Sequence, residues 1–89
     1  MEAVLLYNEN QYNGFVEVHI HSLSFTFSEL QSVGLMLEIA WVNVHSLEYY
    51  KLYDIELKGI KITTKDAIHF VFVVDDPLSL KLMIRKRMK

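Results

Sequence analysis

The chain predicts a mainly β domain: a partly open barrel of about seven antiparallel strands, capped by one C-terminal helix. Three observations lead there. Apolar residues recur at every second position over much of residues 2–74, the period of a half-buried strand. The apolar phase switches between even and odd positions, which flips the buried face and demands a turn or bulge at each switch. Asp75-Asp76-Pro77 then opens a segment whose apolar residues fall at helical spacing. Two packed antiparallel sheets satisfy this order. The competing arrangement is an α+β sheet with one face covered by the helix or by a second copy.

Ala3, Leu5 and Tyr7 form the first strand, and Asn8 to Gly14 reads as a polar loop of turn-forming residues. Val16, Val18 and Ile20 then alternate with Glu17, His19 and His21, and Leu23, Phe25 and Phe27 alternate with serines and Thr26. The phase changes near His21-Ser22, where a turn or a bulge is required. Glu29 to Gly34 is the next break. Leu35, Leu37 and Ile39 give a short strand, and Val44 to Leu52 a longer one rich in aromatic residues. Ile55 and Leu57 are odd but Ile60 and Ile62 even, so Lys58-Gly59 marks a turn or bulge. Lys65-Asp66 reads as a short hairpin loop. Phe70-Val71-Phe72-Val73-Val74 is apolar on both faces, as in a central or covered strand. In the final helix, residues 77–88, Asp76 stands at N-cap and Pro77 at the first helical position. Leu80, Met83, Ile84 and Met88 are expected to face the sheet. The expected core is Val16, Val18, Ile20, Phe25, Phe27, Ile39, Val44, Leu47, Ile62, Phe70, Phe72 and Ile84.

Composition narrows the class. With 89 residues the chain reads as a single domain, 1–89, and 52% hydrophobic residues against 22% charged argue against a disordered tail. Cysteine is absent, which removes disulfide scaffolds, thiolate metal sites and cysteine nucleophiles. The lack of staples, and an acid at Glu2 where a signal peptide carries a base, favour a soluble, cytoplasmic setting. Charge is lopsided: residues 1–50 hold six acids and no Lys or Arg, whereas residues 51–89 hold nine bases and five acids. Lys81, Arg85, Lys86, Arg87 and Lys89 crowd the end, either as a partner-facing patch or as a solvated helix.

Seven strands followed by one capping helix is the order of the pleckstrin-homology (PH) superfold. The segments Tyr12-Asn13-Gly14-Phe15-Val16-Glu17-Val18 and Leu23-Ser24-Phe25 resemble its early strands. Ile39-Ala40-Trp41-Val42-Asn43-Val44-His45-Ser46-Leu47-Glu48 is similar to its mid-domain "I-x-S-I-E" segment. Gly59 to Phe72 resembles its "l-x-I-x-T-K-D-G" hairpin, with Ala67 in place of the usual glycine. The resemblance is to the GRAM-like and bacterial PH-like branch, since the helix lacks the tryptophan of eukaryotic PH domains. It implies a non-catalytic adaptor binding lipid headgroups, peptides, ubiquitin or other domains.

No residue pattern calls for an enzyme or a cofactor. Gly14, Gly34 and Gly59 are isolated, so no glycine loop cradles a phosphate, and the serines sit in strands without a nucleophile elbow. Asp75-Asp76 is accounted for by the helix start. His19-x-His21 places two imidazoles on one strand face without a defined third ligand, so no metal site is assigned. In PH domains, phosphoinositides are held by clustered bases in the first hairpin loop; the equivalent Asn8 to Asn13 here holds Glu9 and no base. Anionic lipid binding is therefore expected to be weak. Nucleic acid is not expected, because no strand interleaves bases with aromatics. Trp41, Tyr49, Tyr50 and Tyr53 cluster around one strand, serving either the core or a partner.

The function expected from this reading is an interaction module for a protein or peptide. The alternatives are an anionic-lipid binder acting through the basic helix and a self-associating homo-oligomer. By similarity to the phosphotyrosine-binding type of domain, a partner strand would add beside Val44 to Leu52 next to the helix. Tyr49, Tyr50 and Lys51 are the expected contact residues on the strand, with Lys81 and Arg85 as a basic rim.

Overall fold

The computed structural model describes residues 1–28, 35–53 and 55–88. Seven strands, β1 (Glu2–Tyr7), β2 (Asn10–Val18), β3 (Ser22–Phe27), β4 (Met36–Ala40), β5 (Val44–Leu52), β6 (Glu56–Thr64) and β7 (His69–Val73), precede one helix, α1 (Pro77–Arg87). They form one antiparallel sheet in the order β4-β3-β2-β1-β7-β6-β5, not the two packed sheets expected, because β1 pairs with both β2 and β7 and joins the two halves. The two edge strands, β4 and β5, follow each other in sequence and are joined by a single 3-10 turn at Trp41–Asn43. The sheet therefore curls into a half-barrel, and α1 seats Leu80 and Ile84 fully buried in its core. The break expected at residues 29–34 lies outside the described residues.

The first hairpin is tighter than the sequence suggested. Asn8 and Glu9 alone make the turn, both at positive φ (51° and 65°), the backbone of a two-residue turn whose twist matches the flanking strands. Asn10 to Gly14, expected as loop, are strand residues paired with Ala3 to Tyr7. Their polar side chains misled because Gln11 and Asn13 lie on the solvent face, where a strand needs no apolar residue.

The phase switch near His21 is a turn. The His19 N–H donates to the Ser22 carbonyl at 2.8 Å, and Trp41 donates its backbone N–H to His21 and its indole N–H to the His19 carbonyl. This corrects one expected core residue. Ile20 is 64% exposed, because β2 ends at Val18 and the alternation does not carry into the turn. At the second switch the ladder jumps from Tyr50↔Gly59 to Lys51↔Leu57, so Lys58 is the extra residue of a β-bulge. A second irregularity, between Val44 and Ser46, leaves His45 unpaired in register.

β7 is central, between β1 and β6. Phe70 and Phe72 point into the core, while Val71 and Val73 stay half-buried on the outer face beside Leu6 and Val4. Phe25 gathers Phe27 (5.1 Å between ring centroids) and Phe72 (5.9 Å), and Tyr7 stacks on Phe70 at 5.0 Å. Val18, Phe27 and Leu47 are partly buried against this core, and no described buried side-chain N or O lacks a partner.

The helix starts as expected: Asp76 accepts from the Ser79 N–H at 3.1 Å and Pro77 follows it. Pro77, Leu80, Ile84 and Met88 fall on one stripe at steps of three and four residues. Met83 lies off that stripe and is 38% exposed, which corrects its expected contact with the sheet. Arg85, Lys86 and Arg87 fill the last turn, where the dipole favours cations.

Ala67 adopts φ 65° in the β6–β7 loop, a left-handed conformation costing an alanine about 1–2 kcal/mol. Ala67→Gly is expected to stabilise the domain by about 0.5–1 kcal/mol, after the added freedom of the unfolded glycine is subtracted. A thermal melt should rise by a few degrees; a fall would mean that the methyl group packs usefully.

Candidate functional site at the β5 edge

β5 pairs with β6 on one side, and among the described residues no strand covers the other. Alternation along β5 divides its side chains. Leu47 and Tyr49 lie opposite Ile62 and Ile60 and turn inward, whereas Glu48 and Tyr50 lie opposite Lys61 and Gly59 and turn outward. Tyr49 reaches the barrel rim, partly buried against the core, and meets the helix there. The Lys81 Nζ sits 3.8 Å from the centre of the Tyr49 ring, within reach of a cation–π attraction worth about 0.5–1 kcal/mol or more. Burial pushes the Lys81 ammonium below its ordinary pKa, the Arg85 guanidinium pushes it further down, and the Glu48 carboxylate opposes both.

Tyr49 and Lys81 are therefore brought together where β5 meets α1, and Arg85 follows Lys81 one turn later on the helix. Lys51 is exposed farther along the same edge, opposite Leu57. Tyr50 is not part of this group. It lies across from Gly59 on the outer face, in a depression shared with Leu6, Asn10, Lys61 and His69. The aromatic cluster thus divides: Trp41 is core, Tyr49 bridges to the helix, Tyr50 is half-buried outside, and Tyr53 is 85% exposed. Sequence reasoning missed Glu48, the acid whose charge acts on Lys81. Its position next to Tyr49 was visible, but its influence on Lys81 crosses from strand to helix.

The two histidines of the His-x-His pair part company: the His19 Nε2 hydrogen-bonds the Ser24 Oγ at 2.8 Å, while His21 is exposed in the turn. Among the described residues no three His, Asp or Glu side chains converge on a point that could hold a metal. No described helix is long and apolar enough to cross a membrane.

Seven antiparallel strands in a curled half-barrel, capped by a C-terminal helix, make this a PH-like fold. A similar structure is the crystallised C-terminal domain of an unknown protein from Leishmania infantum, with a TM-score of 0.81 over 97% of this chain and 77% of that one, at 9% identity. At that identity the likeness is one of fold. No family model matches the chain, and no curated protein matches it.

Proposed function

We propose that this chain is a non-catalytic interaction module that accepts an extended peptide along β5, beside α1. One observation carries the reading: a nine-residue strand, whose second side no described strand covers, lies next to a helix that places Lys81 over its Tyr49. Strand addition needs free backbone donors and acceptors for affinity and neighbouring side chains for specificity. Lys81 and Arg85 favour a peptide with acidic residues, and Tyr49 offers it an apolar wall. The sequence segments that resemble the GRAM-like and bacterial PH-like branch support placing the chain there. A cytoplasmic setting fits a small domain that holds together without cysteine.

The test is selection from a randomised display library of extended peptides, followed by titration of a selected peptide. Lys81→Glu is expected to weaken binding at least tenfold, because a charge-assisted contact becomes a repulsion. Phe15→Ser, on the outer face of β2 away from this edge, is the control. Asn10 cannot serve as one, because it shares the depression of Tyr50. Amide exchange should slow along β5 in the complex. Equal loss in both variants, or protection confined to other strands, would place the site elsewhere.

A further inference from the structure

The helix carries more apolar surface than the core covers. Pro77, Leu80, Ile84 and Met88 form its inner stripe, but Leu78 and Leu82, one turn apart on the outer side, are 56% and 64% exposed. Met83 stands beside them, also exposed. A helix that packs by one face ordinarily turns polar and charged residues to the solvent. Here the charges are divided between the two ends, apart from Lys81, which is turned toward Tyr49. Asp75 and the N-cap Asp76 stand just before the first turn, and Arg85, Lys86 and Arg87 fill the last. Asp75 and Lys86 are both exposed, and neither has an ion-pair partner among the described residues.

We propose that the outer face of α1 pairs with the same face of a second copy of this chain, the two helices lying antiparallel about a two-fold axis. Such an axis sets Leu78 against the partner's Leu82, and by symmetry makes that contact twice. The same register brings Asp75 and Asp76 beside the partner's Arg85 and Lys86, and the reverse, so acid meets base at both ends. The two helix dipoles are then opposed, which adds to the attraction. A parallel pair would set base against base and acid against acid. Because acids and bases balance along the helix, the face is complementary to itself and not to a partner of one charge sign. With eleven residues, α1 is about 16 Å long. A contact of that length falls in the small class of interfaces, so the dimer is weak and concentration-dependent. This face includes neither Tyr49 nor Lys81, so it stands or falls independently of the β5 site.

Sedimentation equilibrium of the full chain, from micromolar to millimolar protein, tests it. A monomer–dimer equilibrium is expected, weakening as salt rises. Leu82→Ser removes the apolar contact from both copies and should weaken the dimer about a hundredfold. Lys86→Glu and Asp75→Lys each turn two attractions into two repulsions, and each should weaken it about tenfold. Mixed in equal amounts, these two charge variants should associate as the parent does, because every acid then faces a base. Circular dichroism should show all three variants folded, since the three side chains are exposed. A protein that stays monomeric throughout, a Leu82→Ser variant that dimerises as the parent does, or charge variants whose mixture shows no recovery would overturn the proposal. So would a monomer that sediments with phosphatidylserine vesicles and loses this in Leu82→Ser; that outcome would assign the stripe to a membrane.

Discussion

Phe72→Ala is expected to remove about 3–5 kcal/mol of stability, the cost of emptying an aromatic site in a packed core. Phe72 is fully buried on the central strand β7, with the Phe25 ring 5.9 Å away. A domain of this size has about 5–13 kcal/mol in total, so the variant loses a quarter or more of it. Because one kcal/mol moves the midpoint of a small domain by about 4–8 °C, the thermal transition should fall by roughly 12–40 °C. Val71→Ala, one residue away but half-buried on the outer face, should cost about 1 kcal/mol. Urea titration of both variants measures the contrast, and equal losses would mean that β7 does not divide its two faces as described.

Gly59→Ala is the second large effect, and its cause is the backbone. A Cβ at Gly59 would lie 2.0 Å from the Phe72 carbonyl oxygen and 2.9 Å from the Val73 Cα. These are main-chain atoms of the neighbouring strand, so no rotamer change relieves the clash. The β6–β7 ladder would have to open, at a cost of about 3 kcal/mol or more. The bulge at Lys58 lies next to this position. Hydrogen exchange should accelerate first around Gly59 and Val73, which are register partners. A variant with native stability and native exchange there would refute the close approach. The sign is opposite to that expected for Ala67→Gly, although both substitutions exchange the same two residue types. At Gly59 space decides, at Ala67 backbone conformation.

Most strands were legible because one face of each is buried and the alternation survives in the sequence. β5 runs from Val44 to Leu52 as expected, and Asp76-Pro77 starts the helix where the capping chemistry places it. The misses share a cause. Asn10 to Gly14 looked like loop because their solvent-facing residues are polar amides, and Ile20 looked like core because alternation by itself does not say where a strand ends. The structure ends it with hydrogen bonds from Trp41, twenty-odd residues later in the chain. Met83 was assigned to the buried side of the helix because spacing gives a stripe but not its width.

The candidate site was legible in its residue types but not in its grouping. Tyr49 and Tyr50 had to point to opposite faces, yet only the curl of the sheet decides which of them meets the helix. Tyr49 does, and the Lys81 ammonium covers it; Tyr50 instead shares the far face with Asn10, a residue assigned from the sequence to the opposite, acidic half. That neighbourhood follows from β7 pairing with β1, which carries the first hairpin round to the basic half of the chain.

By itself the sequence determined the element types, their order and the two phase switches, because turn chemistry, capping and period-two burial are local properties of a few neighbouring residues. Only the tertiary structure decided which switch is a turn and which a bulge, and that β4 and β5 remain as edges. Those outcomes depend on strand pairing and closure between segments distant in sequence, and the energy that selects them comes from packing the whole barrel around Phe25 and Phe72.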